Sequence, residues 1–235
     1  MTLPELQATA AHNAGDEQTN VLSGFDPTKL WQAFSQTPGV GVSITDAEGN
    51  LIFVNSTALV LFSETDQLDY TGKRISDYHP PEFVEERLAM IRRVLDENRP
   101  LSIEHIYLGK RIESTVWPLP DKRPPCDRVL VISRAYSENS PAGGLKAPEV
   151  LHSEYIDLGP LNVLSKREIE VLVLMGHGMS VPSAAKMLYR SPKTIERHKA
   201  SISHKLQLKG QADMVAIVTA MGLQLDDAEL KRLPT

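Results

Sequence analysis

The chain has 235 residues, with 25 Lys and Arg against 30 Asp and Glu, a formal net charge of −5 and 41% hydrophobic residues. That length allows one large or two small domains, and the single cysteine, Cys126, excludes an internal disulfide and suits a reducing compartment. No apolar run approaches the roughly 20 residues a membrane-spanning helix needs, and residues 1–20 lack a basic region followed by an apolar core, so a cytoplasmic protein with no membrane partner is expected.

The first 24 residues are polar and Ala-rich, and read as a flexible segment. Thr28 to Thr37 reads as a short amphipathic helix with Leu30, Trp31 and Phe34 on one face, ended by Pro38-Gly39. Val40 to Thr45 alternates as a strand, Asp46-Ala47-Glu48-Gly49-Asn50 has turn chemistry, and Leu51 to Val54 is a second strand, so the two form a hairpin. Asn55 is placed to tie down the strand end through local backbone. A short helix then runs through Phe62, and a longer one covers Pro81 to Glu97 with Phe83, Val84, Leu88, Ile91 and Leu95 inward. Its neighbouring carboxylates Glu85 and Glu86 read as an exposed, solubilising face. Strands at Leu101–Tyr107, Arg111–Leu119 and Val129–Tyr136 follow. Two strands, helices and three more strands describe an α+β domain with a five-stranded antiparallel sheet.

That order, with Asp46-x-x-Gly49-x-Leu51-x-x-Val54-Asn55 and then Pro118-Leu119-Pro120, resembles a PAS sensory domain over residues 25–137. The resemblance implies a curved sheet and helices around a pocket, and a habit of dimerising. Such a concavity suits a small-molecule ligand, or is filled by large apolar side chains; the residues leave both readings open. The cofactor is unknown. His79, beside Pro80-Pro81, and His105, in a strand, lack surroundings that would mark a haem ligand. Cys126 follows Pro124-Pro125 in a hairpin loop, not in the Asn-Cys-Arg context of a photoactive flavin site, and reads as inert.

Residues 138–158 are rich in Ser, Pro and Gly at their start and read as a linker. Charge changes sign there. Residues 1–160 hold 14 Lys and Arg against 23 Asp and Glu, and residues 161–235 hold 11 against 7, as expected of two units with different partners. An acidic first unit would repel DNA.

Residues 159–225 read as short helices with tight breaks. Ser165-Lys166-Arg167-Glu168 is a capping box, followed by an apolar stripe of Ile169, Leu172, Val173 and Met175 that Gly176 and Gly178 stop. Ser180 caps the next helix, with Ala184, Ala185 and Leu188 inward. Ser191-Pro192 opens a third, with Ile195, Ile202 and Leu206 inward. Lys193, Thr194, Glu196, Arg197, Lys199 and Lys205 fall on or beside its solvent side, with His198 nearby. Between Ser165 and Gly210 nine basic residues stand against three acidic ones. A helix–turn–helix with a basic outer face suits double-stranded DNA; charge alone is equally consistent with a solvated face.

Leu164-Ser165, Arg167-Glu168, Glu170-Val171-Leu172, Gly178-x-Ser180, Ala185, Leu188, Ser191-x-x-Thr194-Ile195-Glu196-x-His198 and Lys205-Leu206 resemble the LuxR/FixJ-type helix–turn–helix domain over about residues 161–225. The resemblance implies an all-α, four-helix DNA-binding domain whose third helix enters the major groove. Base-edge contacts would then fall at Glu196, Arg197 and Ala200, with Lys193, Thr194, Lys199 and Lys205 nearer phosphates and His198 beside them. Small Ala200 suits a thymine methyl, and Gln211 stands where the family usually has arginine. The segment Gln211–Met221 would cover the core with some apolar residues and supply a homodimer contact with others. Residues 226–235 read as a solvated acidic tail.

Catalysis finds no support in the motifs. Gly178-Met179-Ser180-Val181-Pro182 breaks the nucleophile-elbow pattern at its last position, and metal spacings and phosphate-binding glycine loops are missing. The expected function is a transcription regulator whose PAS-like domain senses a signal or mediates dimerisation. Two alternatives are a PAS-like domain that acts as a ligand-free protein-interaction module, and a C-terminal unit resembling the promoter-binding region of a sigma factor. RNA polymerase is an eligible partner under either regulatory reading.

Overall fold

A computed structural model of the chain describes residues 26–63, 69–120, 127–136 and 148–233. Expectations for residues 1–24, for Cys126 and for the linker as far as Ala147 fall outside the described residues. The chain divides into two units, Met1–Pro38 and Gly39–Thr235. In the first, helix α1 (Pro27–Ser35) starts where Asp26 accepts the Thr28 amide at 2.9 Å, with proline at the first helical position.

The second unit opens with the expected hairpin, β1 (Gly41–Asp46) and β2 (Leu51–Val54). The Asp46 carboxylate makes its turn, accepting the amides of Glu48 at 3.0 Å and Asn50 at 2.9 Å. Asn55 then accepts the amides of Val42 and Ala58, both at 2.9 Å, and donates to the Val40 carbonyl at 2.8 Å. One side chain thereby fixes a strand end and caps α2 (Ser56–Ser63). Helix α3 (Pro81–Glu97) buries Phe83, Val84, Met90, Ile91 and Val94 and ends at Asn98, in the left-handed conformation with φ 46°.

Strands β3 (Leu101–Tyr107), β4 (Lys110–Pro120) and β5 (Asp127–Ala135) complete an antiparallel group in the order β2-β1-β5-β4-β3. The turn Leu108-Gly109 joins β3 to β4 with φ of 49° and 71° at its two residues, the handedness that a two-residue hairpin requires. With φ of 71° and the Leu158 carbonyl only 3.0 Å from where a Cβ would sit, Gly109 suits this hairpin tip where it meets the helical region.

The sheet does not stop at five strands. Glu149–Ile156, expected within the linker, forms β6 parallel to β3, and Lys231–Arg232, expected in the solvated tail, forms β7 parallel to β6. The Ser/Pro/Gly composition ends at Pro148, and beyond it Leu151, Ser153 and Tyr155 alternate toward the sheet against exposed Val150, His152 and Glu154. A parallel partner needs a long crossover and leaves no local hairpin signal in the sequence. The tail is likewise not solvated: Asp227 and Leu233 are buried.

Four helices follow, α4 (Lys166–Gly176), α5 (Val181–Met187), α6 (Pro192–Leu206) and α7 (Gln211–Met221). The expected caps are present at Ser165, Ser180 and Ser191, each accepting the amide three residues on. Helix α4 is buried from Glu168 through Gly176 on all faces, not along a single stripe, because α5, α6, α7 and the tail surround it. Gly176 serves contact as well as termination. A Cβ there would sit 2.4 Å from Val218 of α7. This helical core is continuous with the sheet, since Ile106, Ile156 and Leu158 pack in one cluster with Ile169, Leu172 and Met214.

Candidate nucleic-acid interface and sensory cavity

Helix α6 is held by two residues with no exposed surface, Ile195 and Ile202, which turn its opposite side outward. Ser191 fixes its start, accepting the Thr194 amide at 3.1 Å and sharing a hydroxyl hydrogen bond with Thr194 at 2.8 Å. The exposed residues Lys193, Glu196, Arg197, Ala200 and His204 follow the 3-4-3-4 spacing of one helical face. Seven of the eight residues expected at DNA divide between this face and its flanks. Lys193, Glu196, Arg197 and Ala200 share the open face; Thr194, His198 and Lys199 are half-buried at its flanks.

Lys205, the eighth, is exposed near the end of the helix and is held in an ion pair. Its ammonium lies 2.7 Å from the Glu168 carboxylate and also donates to the Val163 carbonyl at 3.2 Å. Glu168 is buried and accepts from Ser201 at 2.6 Å and from the Ser165 amide at 2.7 Å. Burial alone would raise its pKa, but the hydrogen bonds from Lys205, Ser201 and Ser165 outweigh it and hold the carboxyl at about 2. A cation expected near phosphate is thus also paired with a buried anion on another helix. His204, one residue earlier, takes the open position, and only the full face of the folded helix brings it out.

Ion pairing also redistributes the charge. Lys166 pairs with Glu229, Arg167 with Glu170 and Lys205 with Glu168. Among the described residues from 165 to 210, Lys186, Arg190, Lys193, Arg197, Lys199 and Lys209 have no such partner, so the uncompensated positive charge gathers on α5, α6 and the turns beside α6. Gln211, at the start of α7, reaches the Met175 carbonyl at 3.4 Å and so helps close the end of α4.

A second site lies in the sheet region. A cavity of about 130 Å³ sits between the concave sheet and helices α2 and α3, lined by apolar Leu59, Phe62, Met90, Ile103 and Val131 together with His79, Arg87 and His105. Side chains therefore do not wholly fill the space between the sheet and these helices. His79 Nδ1 lies 2.6 Å from the Tyr107 hydroxyl, and burial, with Arg87 nearby, lowers its pKa to about 4. His105 is 4% exposed, and burial followed by the Arg87 charge pushes its pKa well below the ordinary histidine range. The backbone at Ile103 opposes that shift without meeting either ring nitrogen in hydrogen-bond geometry. The sequence reading named both histidines but saw them as isolated. Folding brings them together, 26 positions apart, around Phe62 and Phe83.

Glu86 also differs from its expected place on a solvated face. It is half-buried and accepts from the Ser153 hydroxyl at 2.7 Å and the Glu154 amide at 2.9 Å, which fastens β6 to α3. Arg111 on β4, which the sequence did not single out, pairs with Asp227 at 2.6 Å and donates to the Gly222 carbonyl at 2.8 Å. Both charged groups are buried. Leu233, just after β7, packs with Tyr107, Phe83 and Ile112, and of these Phe83 lines the cavity.

The parts are a capped helix–turn–helix with an open cationic face and an α+β sheet that bears a cavity. Residues 162–218 match the family described as bacterial regulatory proteins, luxR family, and residues 34–140 match the PAS fold. The chain therefore carries a luxR-family helix–turn–helix domain preceded by a PAS domain. Among curated relatives, the oxygen regulatory protein NreC of Staphylococcus carnosus is 43% identical over 56 residues, 24% of this chain and 26% of that protein. NreC of Staphylococcus aureus strain JH9 is 30% identical over 103 residues, 40% of this chain and 48% of that protein. The chain thus spans less than half the length of these curated relatives. Among solved structures, the Vibrio cholerae VqmA dimer without target DNA is similar with a TM-score of 0.45 at 16% identity, covering 88% of this chain and 95% of that one. Among the described residues, no helix is long and apolar enough to cross a membrane.

Proposed function

We propose that this chain is a cytoplasmic one-component transcription regulator. A small molecule in the PAS cavity changes the packing between the sheet and the helix–turn–helix, and so changes affinity for a DNA operator. The observation that carries the reading is the open face of α6, where Lys193, Glu196, Arg197, Ala200 and His204 project together from a helix otherwise locked by buried Ile195 and Ile202. Glu196, Arg197 and Ala200 sit centrally and read base edges; Lys193 at the helix start and half-buried Lys199 meet phosphates. The exposed small residues of α7, with Val215 37% exposed, form the contact between two copies. Two such copies on a dyad-symmetric site place their α6 helices about one DNA turn apart, roughly 34 Å.

Signal transfer runs through the last eleven described residues. Leu233 lies against Tyr107 and cavity-lining Phe83, while Asp227 is held by Arg111 next to the end of α7. A ligand that displaces Tyr107 or Phe83 therefore moves a segment that braces the helical core. It shifts the equilibrium only by as much as it binds the two arrangements differently. The ligand-free interaction-module alternative is disfavoured by the same cavity and its polar lining.

The test is selection of bound fragments from a genomic DNA pool by the full chain, followed by gel shifts of the recovered fragments across a salt series. A shared dyad motif whose affinity falls steeply with salt is the expected result. Absence of a retarded band on any fragment at low ionic strength overturns the reading.

A further inference from the structure

The interior of the cavity carries an unbalanced set of hydrogen-bond donors. His105 is 4% exposed, lines the cavity, and neither of its ring nitrogens meets a hydrogen-bond partner among the described residues. Arg87 lines it too, with Nη2 fully buried and likewise unpartnered. Buried polar atoms left in this condition cost stability, and native proteins keep few of them. Here two stand in one small space.

The Arg87 charge is also under-neutralised. Its Nη1 lies 3.0 Å from Glu86, but the two oxygens of that carboxylate also serve the Ser153 hydroxyl and the Glu154 amide. Burial lowers the Arg87 pKa to about 10, against the opposing pull of Glu86, so the guanidinium still carries its charge at neutral pH. His79 and His105 are neutral in this setting, and Tyr107 keeps its proton, with a pKa raised to about 12 by burial and by Asp157. The cavity lining therefore holds one positive charge, poorly solvated, and no carboxylate.

The remaining lining is mainly apolar, with the hydroxyls of Ser43, Thr45, Ser63, Tyr78 and Ser114 among it. Phe62 stacks on His105 with centroids 5.8 Å apart and an interplanar angle of 20°, and Phe83 lies under the Arg87 guanidinium at 4.5 Å. A space of 130 Å³ is close to the roughly 150 Å³ cavity that admits a benzene molecule in an engineered protein. Resting on the reading of this cavity as the sensory site, we infer that its ligand is a one-ring aromatic monocarboxylate, with one carboxylate oxygen on Arg87 Nη2, the other on a His105 N–H, and the ring among Phe62, Phe83 and the aliphatic wall. A bidentate pair of charged and neutral donors suits the two oxygens of a planar carboxylate.

The experiment uses benzoate and its uncharged counterpart benzamide, titrated calorimetrically into the full chain at neutral pH. Benzoate is expected to bind at least ten-fold tighter than benzamide, and Arg87→Met to bring benzoate down to the benzamide level. His105→Leu is expected to weaken benzoate by a smaller factor, and the ring-nitrogen NMR signals of His105 in the unaltered protein should move on benzoate addition. Equal binding of benzoate and benzamide overturns the carboxylate inference while leaving the cavity as a sensory site. Failure of benzoate, benzamide and neutral one-ring compounds such as phenol overturns both. Unmoved His105 signals with benzoate bound place the ligand elsewhere and overturn the assignment of residues, whether or not the Arg87 variant folds.

Discussion

The helical region and the sheet region treat buried polar groups in opposite ways. In the helices, buried Glu168 accepts from Ser165, Ser201 and Lys205, and each helix start is capped by a serine. In the sheet, His105 is left without a hydrogen bond and one Arg87 nitrogen is stranded. The first pattern is that of a scaffold that must keep one shape, since every buried donor and acceptor is matched. The second is that of a site waiting for a ligand to complete it, because departures from full satisfaction concentrate where function is performed.

A buried ion pair is among the contacts that join the two regions, and breaking it has the largest expected effect. Arg111→Met leaves Asp227 buried and unpaired, a change that costs about 3–5 kcal/mol in buried pairs of this kind. The loss should be local at first. Hydrogen exchange is expected to rise over residues 223–233 and at the end of α7, with α4 still protected. If the two regions were independent, exchange would rise only at β4, and the link through the tail would be broken as an idea.

Acid separates the regions next. The His79 pKa is lowered to about 4, so its neutral form stabilises the fold fully above the unfolded value of 6.5, and that stability is lost as pH falls from 6.5 toward 4. The shift corresponds to about 3 kcal/mol. Glu168, held at about 2 by its hydrogen bonds against burial, contributes above 4.5 and loses its contribution only as pH falls from there toward 2. Exchange measured at pH 7, 5.5 and 4 should therefore show the sheet around α3 and β3 loosening while α4 and α6 hold. The reverse order would contradict the contrast between a satisfied core and an unsatisfied cavity. Glu168→Ala should abolish the difference, destabilising the helices at neutral pH by about 2–4 kcal/mol as Ser165 and Ser201 lose their acceptor.

How much of this was legible in the sequence follows the distance between partners. Serine caps lie three residues from the amides they satisfy, and Pro81 and Asn98 bracket α3, so the helices were readable almost to the residue. The hairpin at Asp46–Asn50 and the strands to Ala135 were readable from alternation and turn chemistry for the same reason. Pairings that join remote segments were not. Strand β6 meets β3 across 48 residues at Leu101 and Glu149, and β7 meets β6 across 76 at Tyr155 and Lys231. Both were mistaken for linker and tail because neither has a neighbour in sequence to pair with. The cavity was hidden likewise. His79, Arg87 and His105 come from a loop, a helix and a strand, and nothing in their spacing says that they face one space.

The smallest effects test the open face of α6 against the ion-paired residue near its end. Arg197→Ala should cost about 1–3 kcal/mol on the selected operator and little on random DNA, since a base-edge contact is lost. Lys193→Ala should weaken operator and random DNA by the same modest factor and lower the salt slope by about one, as removal of a phosphate contact does. Lys205 would have been expected to behave like Lys193. Its ion pair with Glu168 instead makes it a support of the helical core, so Lys205→Met should lower the melting temperature while leaving the salt slope of DNA binding unchanged. The three variants, titrated on one operator at four salt concentrations, distinguish these roles by slope alone. A salt slope that falls for Lys205→Met as much as for Lys193→Ala would return Lys205 to the DNA face and show that its bond to Glu168 opens when the duplex arrives.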